Sequence, residues 1–155
     1  MRSNEHLLAS VPLLGLWLAG GGDLPQAATA AAASLLVDLD HFPDYVWWRR
    51  GWGGLRDFFA SFHTHQVTRL ALLAHSWELL FLAVVFLWLG GWPAWPAALV
   101  CGWAYHLAWD QLTNPVGWKF YFLSYRLAHG CDRRRLPVTG GIAPRGGLDR
   151  RSPSG

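Results

Sequence analysis

An all-α integral membrane helical bundle, with four transmembrane helices and a C-terminal amphipathic or interfacial helix, is the fold class this chain predicts. Composition is the first observation behind it: 52% of residues are hydrophobic, 15% are charged, and there are eleven tryptophans. That balance is far from an ordinary soluble domain. The second is a set of long apolar runs separated by Gly- and Pro-rich turns. The third is the placement of the cations, which all fall on one side if four segments cross. At 155 residues the chain has one domain's worth of sequence, without a repeat of fixed period. Residues 1–130 read as the membrane-embedded helical domain. Residues 131–155, rich in Arg, Gly, Pro and Ser, read as a disordered basic tail.

The first helix is expected from Ser3 to Ala19, capped by Ser3 and stopped by Gly20, Gly21 and Gly22. With no small-residue cleavage site after its apolar run, it reads as a retained helix rather than a signal peptide. The second covers the Ala-rich stretch Pro25 to Leu39, with proline in a favoured first-turn position. Val67 to Leu89 forms the third and is the longest apolar run. The fourth begins near Pro93 or Pro96 and ends at Leu112, because Asn114 precedes Pro115 and is pushed out of the helical region. A fifth, Val116 to Ala128, places Lys119 and Arg126 among aromatic residues and is expected to lie in the interface.

If segments one to four cross, neither GGGDLP nor GGWPAWP carries a Lys or Arg, so all thirteen cations share one side with both termini. The positive-inside rule makes that side cytoplasmic. Membrane lipid is the expected partner, and the basic tail suits anionic lipid better than nucleic acid. Cys101 and Cys131 have neither metal-site nor disulfide-framework spacing.

Residues able to bind metal recur near one end of these segments: His6, then Asp38, Asp40, His41 and Asp44 in DLDHFPD, then His75 with Glu78, then His106 with Asp110. An ionisable group beside an apolar span is costly unless paired, hydrated or metal-bound. His106 and Asp110, four apart on a helix, share a face. Nitrogen and oxygen donors without a thiolate suit a divalent metal such as zinc, manganese or iron, with zinc favoured. His6, Asp38, Asp40, His41, His75, His106 and Asp110 are the candidate ligands. Glu78 or Asp44, left over as a free carboxylate, is the candidate general base for a metal-bound water. Ser76 is expected to bond its own helix backbone rather than act as a nucleophile. His63 and His65 divide evenly between solvated surface and substrate contact, and His129 is expected at the interface.

DLDH followed by Pro43 and Asp44, the pair His75–Ser76, and H-x-x-x-D followed by TNP (His106, Asp110, Thr113, Asn114) resemble the membrane-bound metal-dependent hydrolases described as LexA-binding and inner-membrane-associated. An early histidine, here His6, also fits. The resemblance covers roughly residues 4 to 128. More distantly, the motif order is similar to zinc-dependent phospholipase C helical domains. It implies a multi-pass hydrolase of the bacterial inner membrane acting on a phosphoester or lipid-like substrate. Where many members carry Thr-His-Ser after an Arg-Gly pair, this chain has LLAHSWE. Two rival readings are a metal ion or proton transporter and a non-catalytic scaffold with a structural metal. Transport needs polar groups at both depths, whereas the outer half offers only Asp23.

Overall fold

The computed structural model describes residues 3–64 and 66–136, excluding the side chains of residues 3–9. His6 as a ligand, His65, and the tail beyond residue 136 therefore lie outside the described residues. The helices are α1 (Ser3–Ala19), α2 (Leu24–Leu36), α3 (His41–Arg49), α4 (Leu55–His63), α5 (Trp77–Leu89), α6 (Ala94–Thr113) and α7 (Leu123–Ala128). Short 3-10 turns occupy Val37–Asp40, Trp118–Tyr121 and Arg133–Arg135.

α2 opens on Asp23, whose carboxylate accepts the Gln26 amide at 2.8 Å and so supplies one of the missing acceptors of a first helical turn. Its buried face is made of small residues, Ala27, Ala30, Ala31, Ala33 and Ser34. α6 lies against that face with Ala98, Gly102, His106, Leu107 and Asp110 buried. Gly102 sets the separation: a Cβ there would overlap the Ala30 carbonyl oxygen and stand 2.8 Å from its carbon. α1 covers the same pair with Leu13, packed on Ala30 and Ala98.

The expected third helix, Val67 to Leu89, is helical only from Trp77. Residues 67–76 run as largely buried, non-helical chain. Val67, Leu70 and Leu72 pack with Phe120, Tyr121 and Leu136, while an antiparallel bridge joins Arg69 to Asp132. Leu72 takes a positive φ of 44°, which no helix of L-residues admits. Periodicity cannot separate a buried extended run from a buried helix. Here tertiary hydrogen bonds decide, because amides and carbonyls of 71–75 bind side chains from other elements. Ser76 is consequently an N-cap, accepting the Leu79 amide at 3.3 Å, rather than a mid-helix residue bonding its own backbone.

The fifth segment also differs from expectation. Val116–Ala128 divides into a 3-10 turn and α7, with Phe120, Tyr121 and Arg126 buried. Arg126, fully buried, donates to the carbonyls of Ala71 at 3.0 Å, His75 at 2.9 Å, Leu72 at 2.7 Å and Phe120. It is a core fastener of the 71–75 segment, not an interfacial cation.

Among the described residues no helix is long and apolar enough to cross a membrane. At 1.5 Å per residue the 13-residue α5 reaches about 20 Å, against roughly 30 Å of hydrocarbon. α6 has 20 residues but carries His106, Asp110 and Gln111. The four-span bundle, the transmembrane helices and the multi-pass inner-membrane location with cytoplasmic termini are therefore not upheld, and the loop-charge argument for orientation goes with them. Phe81, Phe86, Trp88, Leu89, Trp92 and Trp95 of α5, α6 and their connection are exposed.

Candidate metal centre

The DLDH motif is helical throughout. The turn Val37–Asp40 links α2 to α3 in 3-10 geometry, where residues three apart eclipse. Asp38 and His41 thus stand together, with His41 Nε2 3.9 Å from Asp38 Oδ1. Asp40 turns instead to the 71–76 segment, accepting the Ala74 amide at 2.6 Å and the His75 amide at 3.3 Å. Asp44, one turn further, accepts the Leu72 amide at 3.1 Å. Two carboxylates of one motif therefore shape the chain that presents His75.

From α6, His106 points its Nδ1 at the Ser34 carbonyl, 2.6 Å away. A carbonyl only accepts, so Nδ1 carries the proton and Nε2 offers its lone pair. His75 Nδ1 lies 3.3 Å from Asp40 Oδ2, which leaves Nε2 as its inward-facing nitrogen, open to an ion once that position gives up its proton. The two Nε2 atoms face each other at 3.2 Å. Around them lie Asp110 Oδ2, at 3.6 Å from His75 and 3.5 Å from His106, and Asp38 Oδ1, at 3.8 Å and 3.6 Å respectively. Four donors about 2.0–2.1 Å from a shared ion at tetrahedral angles stand roughly 3.3–3.4 Å apart. The five separations given lie between 3.2 and 3.8 Å, and the donors fall into two compact groups that share His75, namely Asp38–His41–His75 and His75–His106–Asp110. These residues could hold a metal ion.

Burial makes the cluster expensive without compensation. His75, His106 and Asp110 are almost completely buried, while 37% of the Asp38 side chain is accessible. Burial alone would depress the His75 pKa, but hydrogen bonds to Asp38 and Asp40 and the charge of Asp110 override it and lift it to about 9. The same burial, with the His75 charge added, drives His41 down to about 4. Desolvation pushes Asp40 upward, yet the bonds it accepts from His75 and from the 74–75 amides prevail and keep it below its ordinary value.

Asp38, His41, His75, His106 and Asp110 come together, with Asp40 behind His75. Asp44 and Glu78, the expected general bases, fall outside both groups of converging donors. Glu78 accepts from Ser76 Oγ and the Leu123 amide, both at 2.7 Å, and from the Ser124 amide at 3.0 Å and Ser124 Oγ at 2.6 Å. Desolvation works against its charge, but these bonds prevail and hold its pKa at about 2. Such a carboxylate fastens α5 to α7 and is a poor proton acceptor at neutral pH. Its folded pKa lies below the ordinary 4.5, so its stabilisation is complete above pH 4.5 and disappears as pH falls through about 2. Glu78→Gln is expected to lower the urea midpoint at neutral pH and to flatten its fall across that acid window. An unchanged midpoint and acid profile would refute the fastening role.

His63 is exposed at the end of α4, and His129 Nδ1 donates to the Tyr125 carbonyl at 2.8 Å. Sequence reasoning missed the outer supports of the cluster. The Ser34 carbonyl, Arg126, and Trp103, whose indole N–H donates to the Ala74 carbonyl, hold the ligands without any ligand chemistry of their own. Only the burial of a charged residue in an aromatic segment could have flagged Arg126. Asp40→Asn is expected to weaken metal binding about 10–100-fold, the usual cost of losing an outer carboxylate partner. Zinc titration of the folded variant, with His75 ring shifts as a second readout, checks this. No family model matches the chain, and no curated protein or solved structure matches it.

Proposed function

We propose that the centre binds one divalent ion, zinc before manganese or iron, and serves hydrolysis of a phosphoester or lipid-like ester. One observation carries this reading: two imidazoles, each anchored through Nδ1, turn Nε2 inward to a site shared with two carboxylates. That is the arrangement of histidine ligands with outer partners fixing tautomer and ring orientation. The nitrogen and oxygen donors, without a thiolate, favour zinc. A bound ion of this kind lowers the pKa of water and polarises an ester oxygen.

The chain's own residues supply the rest. Asp38 and His41 form the accessible rim, with 37% and 27% of their side chains exposed, so substrate enters there. His41 Nδ1 is buried without a hydrogen-bond partner, and the ring, held neutral by burial, orients substrate beside the reacting centre. The resemblance of DLDH, HS and H-x-x-x-D to metal-dependent hydrolases supports the reaction class; its membrane-spanning part does not carry over.

The presence of four protein donors also favours a second reading, a closed structural zinc site. Metal analysis of the purified protein, with turnover of bis(p-nitrophenyl) phosphate and p-nitrophenyl butyrate, separates the two. Zinc-dependent turnover that is lost in Asp110→Asn and reduced with metal retained in His41→Ala supports the hydrolase. Stoichiometric zinc with no turnover of either ester supports the structural site.

A further inference from the structure

Away from the metal ligands, the turn after α7 and the start of the 67–76 segment enclose a groove of about 320 Å³ lined by Thr68, Arg69, His129, Asp132, Arg134 and Arg135. Its walls are fixed by backbone. The Leu70 amide donates to the Cys131 carbonyl and the Arg133 amide to the Thr68 carbonyl, both at 2.9 Å. The chain reverses there through Gly130 and Cys131, at φ of 67° and 54°.

Charge in the lining of the groove is unbalanced: three arginines stand against one aspartate. That carboxylate is already engaged, since Asp132 Oδ1 accepts the Arg134 amide at 2.9 Å and Oδ2 lies 3.9 Å from Arg135 Nε. Among the described residues neither Arg69 nor Arg134 forms an ion pair. Like charges gathered at a backbone-fixed concavity repel one another unless an anion enters. Planar guanidinium forks suit the paired oxygens of phosphate, and the volume matches the lower range of small-ligand sites.

We propose that this groove is a binding site for a phosphate group, held by Arg69 and Arg134 with Arg135 at its rim, and distinct from the metal centre. Two sources present that chemistry, free phosphate and the headgroup of an anionic lipid. Calorimetric titration of the full-length protein with inorganic phosphate tests the first, and co-sedimentation with phosphatidylglycerol vesicles against pure phosphatidylcholine vesicles tests the second. The double variant Arg69→Gln/Arg134→Gln is expected to lose about tenfold or more in affinity for whichever form binds, about 1.4 kcal/mol, with its helical circular dichroism and zinc content unchanged. His106→Ala is expected to retain the binding, which keeps this test separate from the hydrolase reading. Phosphate competing the protein off phosphatidylglycerol vesicles identifies one groove serving both forms. Equal affinity in the double variant, loss in His106→Ala instead, or binding of neither phosphate nor anionic vesicles would overturn the proposal.

Discussion

Gly102→Ala is expected to destabilise the protein by roughly 1–2 kcal/mol, from overpacking of about 1–3 kcal/mol or occasionally more, against the helix-propensity gain of up to about 1 kcal/mol that alanine brings. The added methyl meets backbone. It would overlap the Ala30 carbonyl oxygen, approach its carbon to 2.8 Å and reach the Ala33 Cβ at 3.0 Å. A flexible side chain could rotate away, but a helix backbone cannot, so α6 must move off α2. Gly15 of α1 provides the matched control, because a methyl added there would find nothing within 4 Å; Gly15→Ala should raise stability by roughly 0.5–1 kcal/mol through propensity alone. The displacement should also reach the metal ligands. His106 is one turn beyond Gly102, and its Nδ1 bond to Ser34 crosses the same helix contact. Thermal melts and zinc titrations of both variants check this. A Gly102→Ala protein as stable as the Gly15→Ala protein would show that the two helices are not held at contact distance.

Two pairings among the candidate donors are legible from spacing because they rest on local rules. His106 and Asp110 are four apart on a genuine helix, and Asp38 and His41 are three apart on a 3-10 turn, so each pair meets whatever the rest of the chain does. The ends of α1, α2 and α6 are likewise written in Gly20, Pro25 and Pro115. Hydrophobicity misleads at residues 67–76, where the apolar side chains are buried by Phe120, Tyr121 and Leu136 rather than by lipid. No local pattern announces that Asp40, Asp44 and Arg126 will capture the backbone of that run. Those bonds span between 28 and 55 residues, and they convert an expected helix into the loop that presents His75. Glu78 shows the converse. Its proximity to His75 in sequence suggests catalysis, but Ser124 and the start of α7 consume its acceptor capacity.

His106→Ala is expected to abolish stoichiometric zinc binding, with a loss exceeding the roughly 10–100-fold that follows removal of an outer-sphere partner. His106 contributes one of the two Nε2 donors, and its removal also leaves Asp110 and His75 without the atom that stands 3.5 Å and 3.2 Å from them. The Ser34 carbonyl loses its N–H partner at the same time, which costs about 1–3 kcal/mol when the group is buried. Two measurements distinguish the metal effect from this structural one. Zinc at about 100 times its Kd should stabilise the native protein by about 2.7 kcal/mol, whereas the variant should show no zinc-dependent shift in melting temperature. His63→Ala, at the exposed end of α4, changes a histidine outside the cluster and should keep both zinc content and the shift. Asp110→Asn should behave like His106→Ala in metal content, because the neutral amide removes one of the two carboxylates opposing the ion's charge. Full zinc occupancy in both His106→Ala and Asp110→Asn would place any bound metal elsewhere and remove the basis for the hydrolase reading.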